Sequence, residues 1–175
     1  MAANDHWITR LVRDIADYPQ PGVTFRDITP LLGDAEGFSK SITELVHRFD
    51  DVPADRVLGM EARGFIIAAP AAYRMGAGFV PVRKAGKLPW AVVREKYQLE
   101  YGSDTLEMHR DAIHPGERVL VIDDVLATGG TAAATCRLVE ELGGVVVGLG
   151  FLIELTDLGG RERLGDRLVE SLARY

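Results

Sequence analysis

The sequence predicts an α/β domain with a mostly parallel central sheet flanked by helices. Short apolar runs at residues 56–60, 78–82, 118–122 and 144–153 read as buried strands, and stretches of helical periodicity separate them. The chain has 175 residues, the length of one domain, which buries roughly 70% of its unfolded surface at this size. Its 19 glycines cluster at the ends of apolar runs, where backbone turns tightly or approaches a ligand. No repeat, low-complexity tract or linker divides residues 1–175.

In chain order, Trp7, Ile8, Leu11, Val12, Ile15 and Ala16 lie at helical spacing and predict a helix over residues 6–16. Pro19, Pro21 and Gly22 end it and open a loop. Phe25 and Arg26 follow with neither helical nor strand pattern. An irregular loop needs a reason to be ordered; ligand binding is one, a Phe plugging the core is the other. Asp34 is a candidate N-cap for a helix to about Phe49, with Phe38, Ile42, Leu45, Val46 and Phe49 on one face. A strand over 56–60, a helix over 65–75 and a strand over 78–82 follow. From residue 83 to 107 the pattern changes: Gly86, Pro89 and Gly102 punctuate polar, weakly alternating sequence, which reads as a long loop or two-stranded ribbon outside the core. A strand over 118–122, a helix over 131–142 capped by Thr131 and a strand over 144–153 complete the alternation.

Composition excludes several classes. With 47% hydrophobic and 26% charged residues, the chain is neither disordered nor a coiled-coil rod. Its net charge of −6 disfavours nucleic acid or anionic lipid as a partner. The single Cys136, expected to be a buried filler, excludes an intramolecular disulfide and fits a reducing compartment. His6, His47, His109 and His114 lack metal-ligand spacing and read as surface or packing residues. The first fifteen residues lack the apolar core of a signal peptide, and the longest apolar runs, 65–72 and 145–153, fall short of the roughly 20 residues of a membrane span. A cytoplasmic location is expected.

The strongest signal spans residues 119–131: four apolar residues, then Asp123 and Asp124, then a turn of Ala127, Thr128, Gly129, Gly130 and Thr131 leading into a helix. In an open α/β sheet, ligands bind beyond the carboxyl ends of strands. A glycine-bearing loop opening a helix offers backbone N–H groups to a phosphate. Two acids there would repel phosphate; they make sense facing ribose hydroxyls or hydrated Mg²⁺. The plainer alternative is a solvated acidic turn. Glu61-Ala62-Arg63-Gly64 follows a strand: Gly64 admits a ligand to the backbone and Arg63 can grip phosphate oxygens, unless this is only a helix start with Arg63 solvated. Residues 83–96 hold Arg83, Lys84, Lys87, Arg94 and Lys96 against one acid, Glu95, which suits capture of a small polyanion or a solvated surface loop.

The acid pair followed by Ala-Thr-Gly-Gly-Thr resembles the 5-phosphoribosyl-1-diphosphate (PRPP) motif of type I phosphoribosyltransferases. The resemblance narrows to the branch of that family that acts on adenine. Residues 18–30 are similar to its adenine-binding hood, 59–65 to its pyrophosphate loop, and 82–89 and 97–102 to the two ends of its mobile catalytic loop. It implies the type I phosphoribosyltransferase fold, with an N-terminal arm and hood over residues 1–33 and a flexible catalytic loop over 83–107. The implied activity is Mg²⁺-dependent transfer of 5-phosphoribosyl from PRPP to adenine N9, giving AMP and pyrophosphate, a reaction of purine salvage. By resemblance, Asp123, Asp124, Ala127, Thr128, Gly129, Gly130 and Thr131 hold the phosphoribosyl group. Glu61, Ala62, Arg63, Arg83, Lys84 and Lys87 line the pyrophosphate site, with a cis peptide at Glu61–Ala62. Thr24, Phe25, Arg26 and Leu155 hold adenine, Phe25 by stacking, and Thr24 departs from the aliphatic residue usual there. Glu100 and Tyr101 are the implied catalytic pair; from the residues alone Glu100 reads as a surface acid. No residue is expected to ligate the metal directly, Mg²⁺ being held through PRPP and water. A homodimer, with Arg83 reaching across its interface, is likewise implied. A sibling enzyme for another base and a non-catalytic PRPP sensor stay open.

Overall fold

The computed structural model describes residues 6–98 and 103–175. The chain opens on a 3-10 turn at Trp7–Leu11, with Ile8 fully buried, where the spacing predicts a helix over 6–16. The helix fails because the chain straightens after Leu11 into β1 (Arg13–Ile15), which pairs antiparallel with β2 (Phe25–Asp27). Asp17, at φ 56°, accepts a hydrogen bond from the Gly22 N–H at 2.7 Å and closes the intervening turn. Phe25 and Arg26 therefore sit on a short strand, not in patternless loop.

Just ahead of α1 (Thr29–Gly33), Asp27 accepts from the Thr29 N–H at 2.9 Å. Asp34 caps α2 (Ala35–His47) as expected, accepting from the Gly37 N–H at 2.6 Å. Next come β3 (Arg56–Met60), α3 (Arg63–Met75), β4 (Gly78–Lys84), β5 (Val92–Gln98), β6 (Ser103–His109), β7 (Arg118–Leu126), α4 (Gly130–Glu141), β8 (Val145–Glu154), α5 (Gly160–Arg163) and β9 (Val169–Arg174). Seven strands form one sheet in the order β5-β6-β4-β3-β7-β8-β9. The central pairs β4·β3, β3·β7, β7·β8 and β8·β9 are parallel, and β5·β6 and β6·β4 are antiparallel. The mostly parallel sheet expected from the alternation is present.

Both faces of the sheet are covered, which is why the central strands read as unbroken apolar runs. On β7, Val119 and Val121 pack with α4, while Leu120 and Ile122 pack with α2 and α3. Cys136 of α4 is buried, and burial pushes its thiol up to about 11. The 83–107 segment departs from expectation. It does contain a two-stranded ribbon, but Val93, Tyr97, Leu106 and Met108 are buried in the core. Its alternation is masked in the sequence because the inward face of β5 also carries Glu95, which meets Arg137 of α4 at 2.5 Å. Among the described residues, no helix is long and apolar enough to cross a membrane.

Candidate active site

The site is built where β3 and β7 end side by side, in register up to Gly59 opposite Ile122. Strand β7 continues to Leu126, so Asp123 and Asp124 lie within it. Asp123 lines a cavity of about 80 Å³ with Met60, Ala127, Thr128, Gly129, Gly130 and Thr131. The adjacent Asp124 reaches α3, with Oδ2 2.7 Å from Arg63 Nε. Burial, and then the Asp124 charge, push the Asp123 carboxyl well above the usual carboxylate range. Burial also raises Asp124, against the pull of Arg63.

Gly64 is required beside this pair. A Cβ on it would stand 2.5 Å from Asp123 Oδ1, the oxygen that also accepts the Asp124 N–H at 3.0 Å. The loop after β7 turns into α4 at Gly129, which has φ 74° and acts as N-cap. Thr131 is thus the second residue of the helix and not its cap, because the turn needs left-handed backbone that glycine adopts without strain. The first-turn N–H groups of α4 have no partner within the helix and suit an anion in the cavity.

Glu61 gathers the basic residues. It accepts from Arg83 Nε at 3.0 Å, the Lys84 N–H at 3.2 Å and Lys87 Nζ. Burial opposes its ionisation, but these three donors outweigh it and hold the carboxyl below its ordinary value. The Glu61–Ala62 peptide is cis, where the resemblance implies it. Lys84 Nζ meets Asp104 at 3.0 Å. Arg94 departs from the cluster: it pairs at 2.6 Å with Glu107, a buried acid on β6 directly opposite in register. Glu107 also accepts the Gly86 N–H at 2.9 Å, so it braces the turn that carries Lys84 and Lys87. Sequence reasoning missed this acid; the signal was an opposite charge at the paired strand position.

Residues of the N-terminal segment lie beside Arg63. The Arg63 guanidinium lies 5.0 Å from the Phe25 ring centroid, and Tyr18 meets Phe25 edge-on at 5.3 Å. Phe25 is therefore half-exposed at the site and does not plug the core. Arg26 is ion-paired with Asp14 and stacks 4.2 Å from the centroid of Tyr175, a contact between chain ends that no local pattern signals. Thr24 is exposed just before β2. Leu155 is half-buried after β8, its N–H donating to Leu126 O at 2.9 Å. Glu100 and Tyr101 lie outside the described residues. Among the described residues, no group of three or more His, Cys, Asp or Glu side chains could hold a metal ion.

A family model described as "Phosphoribosyl transferase domain" matches residues 34–167. The adenine phosphoribosyltransferase of Solibacter usitatus is 58% identical over 165 residues, 94% of this chain and 95% of that protein. The crystal structure of adenine phosphoribosyltransferase from Rhodothermus marinus matches with a TM-score of 0.91 at 52% identity, covering 96% of each chain. That of the Saccharomyces cerevisiae adenine phosphoribosyltransferase, complexed with D-2,5-dideoxy-2,5-imino-altritol 1,6-bisphosphate and adenine, matches with a TM-score of 0.88 at 38% identity, over 94% of this chain and 96% of that one.

Proposed function

The chain belongs to the adenine phosphoribosyltransferases of the phosphoribosyl transferase domain family, and from that membership we propose that it transfers the 5-phosphoribosyl group of PRPP to adenine N9, giving AMP and pyrophosphate in purine salvage. One observation carries the residue assignments. Asp123 lines the cavity of the glycine-threonine loop with one oxygen against Gly64, and the adjacent Asp124 reaches Arg63, whose guanidinium lies beside Phe25. A ribose held between the two acids has its 5-phosphate on residues 127–131 and its anomeric carbon toward Arg63. Pyrophosphate then leaves toward Arg63, Arg83, Lys84 and Lys87. Adenine stacks on Phe25, with backbone groups of Thr24 and Arg26 at its edge and Leu155 as a wall; such stacking is worth about 1–3 kcal/mol. Binding of adenine by the yeast relative supports this base.

The step is an in-line substitution. The N9 lone pair forms the bond to the anomeric carbon as the bond to pyrophosphate oxygen breaks, and that electron pair leaves with pyrophosphate. Positioning and charge stabilisation carry the rate. The acids face the positive charge that develops on the ribose, and the basic cluster receives the leaving anion. Glu100, beside Tyr101, takes up the purine proton in this proposal.

Mg²⁺ fits the donor set. Asp124 Oδ2 is buried and, although Arg63 Nε lies 2.7 Å away, it accepts no hydrogen bond of proper geometry, and among the described residues no third acid or histidine completes a protein cage. Such a site suits an ion held mainly by substrate oxygens and water near the two aspartates. When bound, it neutralises charge on the pyrophosphate. A cytoplasmic location and a homodimer complete the proposal; exposed Ile66 and Tyr73 on α3 and Phe79 on β4 support the dimer.

The test mixes protein, Mg²⁺, PRPP and one base at a time and follows pyrophosphate release. Adenine is expected to turn over, and guanine and hypoxanthine not. Turnover of another base without adenine would assign a sibling specificity; PRPP binding with no turnover would assign a sensor. Glu100→Leu is expected to lower kcat more than it weakens adenine binding, and an unchanged kcat would remove Glu100 from the chemistry.

A further inference from the structure

The loop assigned to the 5-phosphate is backed by a second glycine turn, Gly159 and Gly160. Gly160 is buried, and a Cβ on it would collide with the Ala127 carbonyl oxygen. Conversely, a Cβ on Gly129 would stand 2.6 Å from the Gly160 carbonyl oxygen. The two turns thus meet backbone on backbone, and each contact depends on the other residue having no side chain. Backbone atoms cannot swing aside as a flexible side chain would.

Gly160 is itself fixed. The next residue, Arg161, donates to both oxygens of Glu154, Nε to Oε1 at 2.7 Å and Nη2 to Oε2 at 2.6 Å. Its Nη1 donates to the Val169 carbonyl at 2.6 Å. Glu154 is 3% exposed, and it is the last residue of β8, in register with Leu126, which directly precedes the loop. Contacts therefore form a closed circuit from Leu126 through Glu154, Arg161 and Gly160 back to Ala127. A two-pronged ion pair onto a buried carboxylate is stiff.

We propose that Gly160 and Arg161 are positioning residues for the 5-phosphate of PRPP and AMP. They hold residues 127–129 in the shape that aims backbone N–H groups into the cavity, a role that rests on the assignment of that loop as the phosphate site. A loop without this backing must be ordered by the ligand. The penalty then falls on phosphate-bearing ligands and spares adenine, which touches no part of the loop.

The experiment measures both substrates' kinetics for wild type, Gly160→Ala and Arg161→Gln. Wild-type turnover of adenine with PRPP tests the assigned reaction separately; without it that assignment fails whatever the variants do. In Gly160→Ala the KM for PRPP is expected to rise at least about tenfold, with adenine KM and kcat within about threefold of wild type. Arg161→Gln is expected to shift the same constant in the same direction. An unchanged KM for PRPP, or a parallel loss in both KM values and kcat, would overturn the proposal. Hydrogen exchange on the wild-type protein decides the matter even if neither variant folds. AMP is expected to slow exchange in residues 156–164 together with 127–131, and adenine alone to slow neither. Protection by AMP confined to 127–131 would overturn it.

Discussion

Gly64 and Asp123 leave no room between them, because the acid's oxygen occupies the space a Cβ would need. Gly64→Ala is expected to displace the Asp123 carboxylate, lowering kcat/KM for PRPP by about 100-fold, with overpacking destabilising the fold by about 1–3 kcal/mol. Steady-state kinetics and thermal melting check both effects, and wild-type PRPP kinetics in a folded variant would contradict the geometry. Asp124→Asn tests the neighbouring acid. It removes the charge beside Arg63 and is expected to raise the KM for PRPP, so near-normal rates at low PRPP would count against a ribose role. These residues were legible in the sequence because each motif is contiguous: the acid pair with its glycine turn, and Glu61 to Gly64. Their mutual contacts were not legible. Nothing local to Phe25 says that the Arg63 guanidinium lies over its ring, or that Tyr175 covers Arg26.

Among elements, the sequence reads best where a strand is buried on both sides. Strand β3 lies at the boundaries its apolar run predicts, since neither face offers a polar position to blur it. Strands β5 and β6 were ambiguous because their charges are satisfied by partners, Glu95 on α4 and Arg94 across the ribbon. Strand β9 went unread, with Glu170 and Arg174 interrupting a short apolar pattern whose neighbour β8 supplies the register. The acid that ties β8, β9 and α5 together, Glu154, gives a pH prediction. Burial opposes its ionisation, but Arg161, Ser171 and Arg174 prevail and hold the carboxyl below its ordinary 4.5. A folded-state pKa that is depressed contributes stability above the unfolded value, and that contribution is lost as pH falls through the folded one. Melting temperatures are therefore expected to decline below about pH 4.5. Arg161→Gln is expected to melt lower near neutrality and to lose less on acidification, since the pair is already broken. Parallel wild-type and variant curves would show that Glu154 does not draw its low pKa from Arg161.

At the scale of the whole molecule, an acidic chain of net charge −6 concentrates Arg63, Arg83, Lys84 and Lys87 at one end of the sheet. Each already meets an acid of this chain, so a polyanion arriving there competes for partnered cations and not for free ones. The chain also carries exposed apolar residues. Helix α3 buries Ile67, Ala68, Ala71 and Ala72 against the sheet, yet leaves Ile66 43% and Tyr73 88% exposed one helical face away, and Phe79 of β4 is 37% exposed. An exposed patch of large apolar residues marks an interaction surface more often than chance solvation. Covering Ile66 with a second copy would bring that copy within one helical turn of Arg63. Light scattering is therefore expected to give twice the chain mass. Ile66→Glu, which places a charge in the patch without touching the buried face of α3, is expected to shift the protein toward monomer and to lower turnover with it. A wild-type monomer with full activity, or a monomeric variant as active as the wild type, would remove the partner subunit from the site.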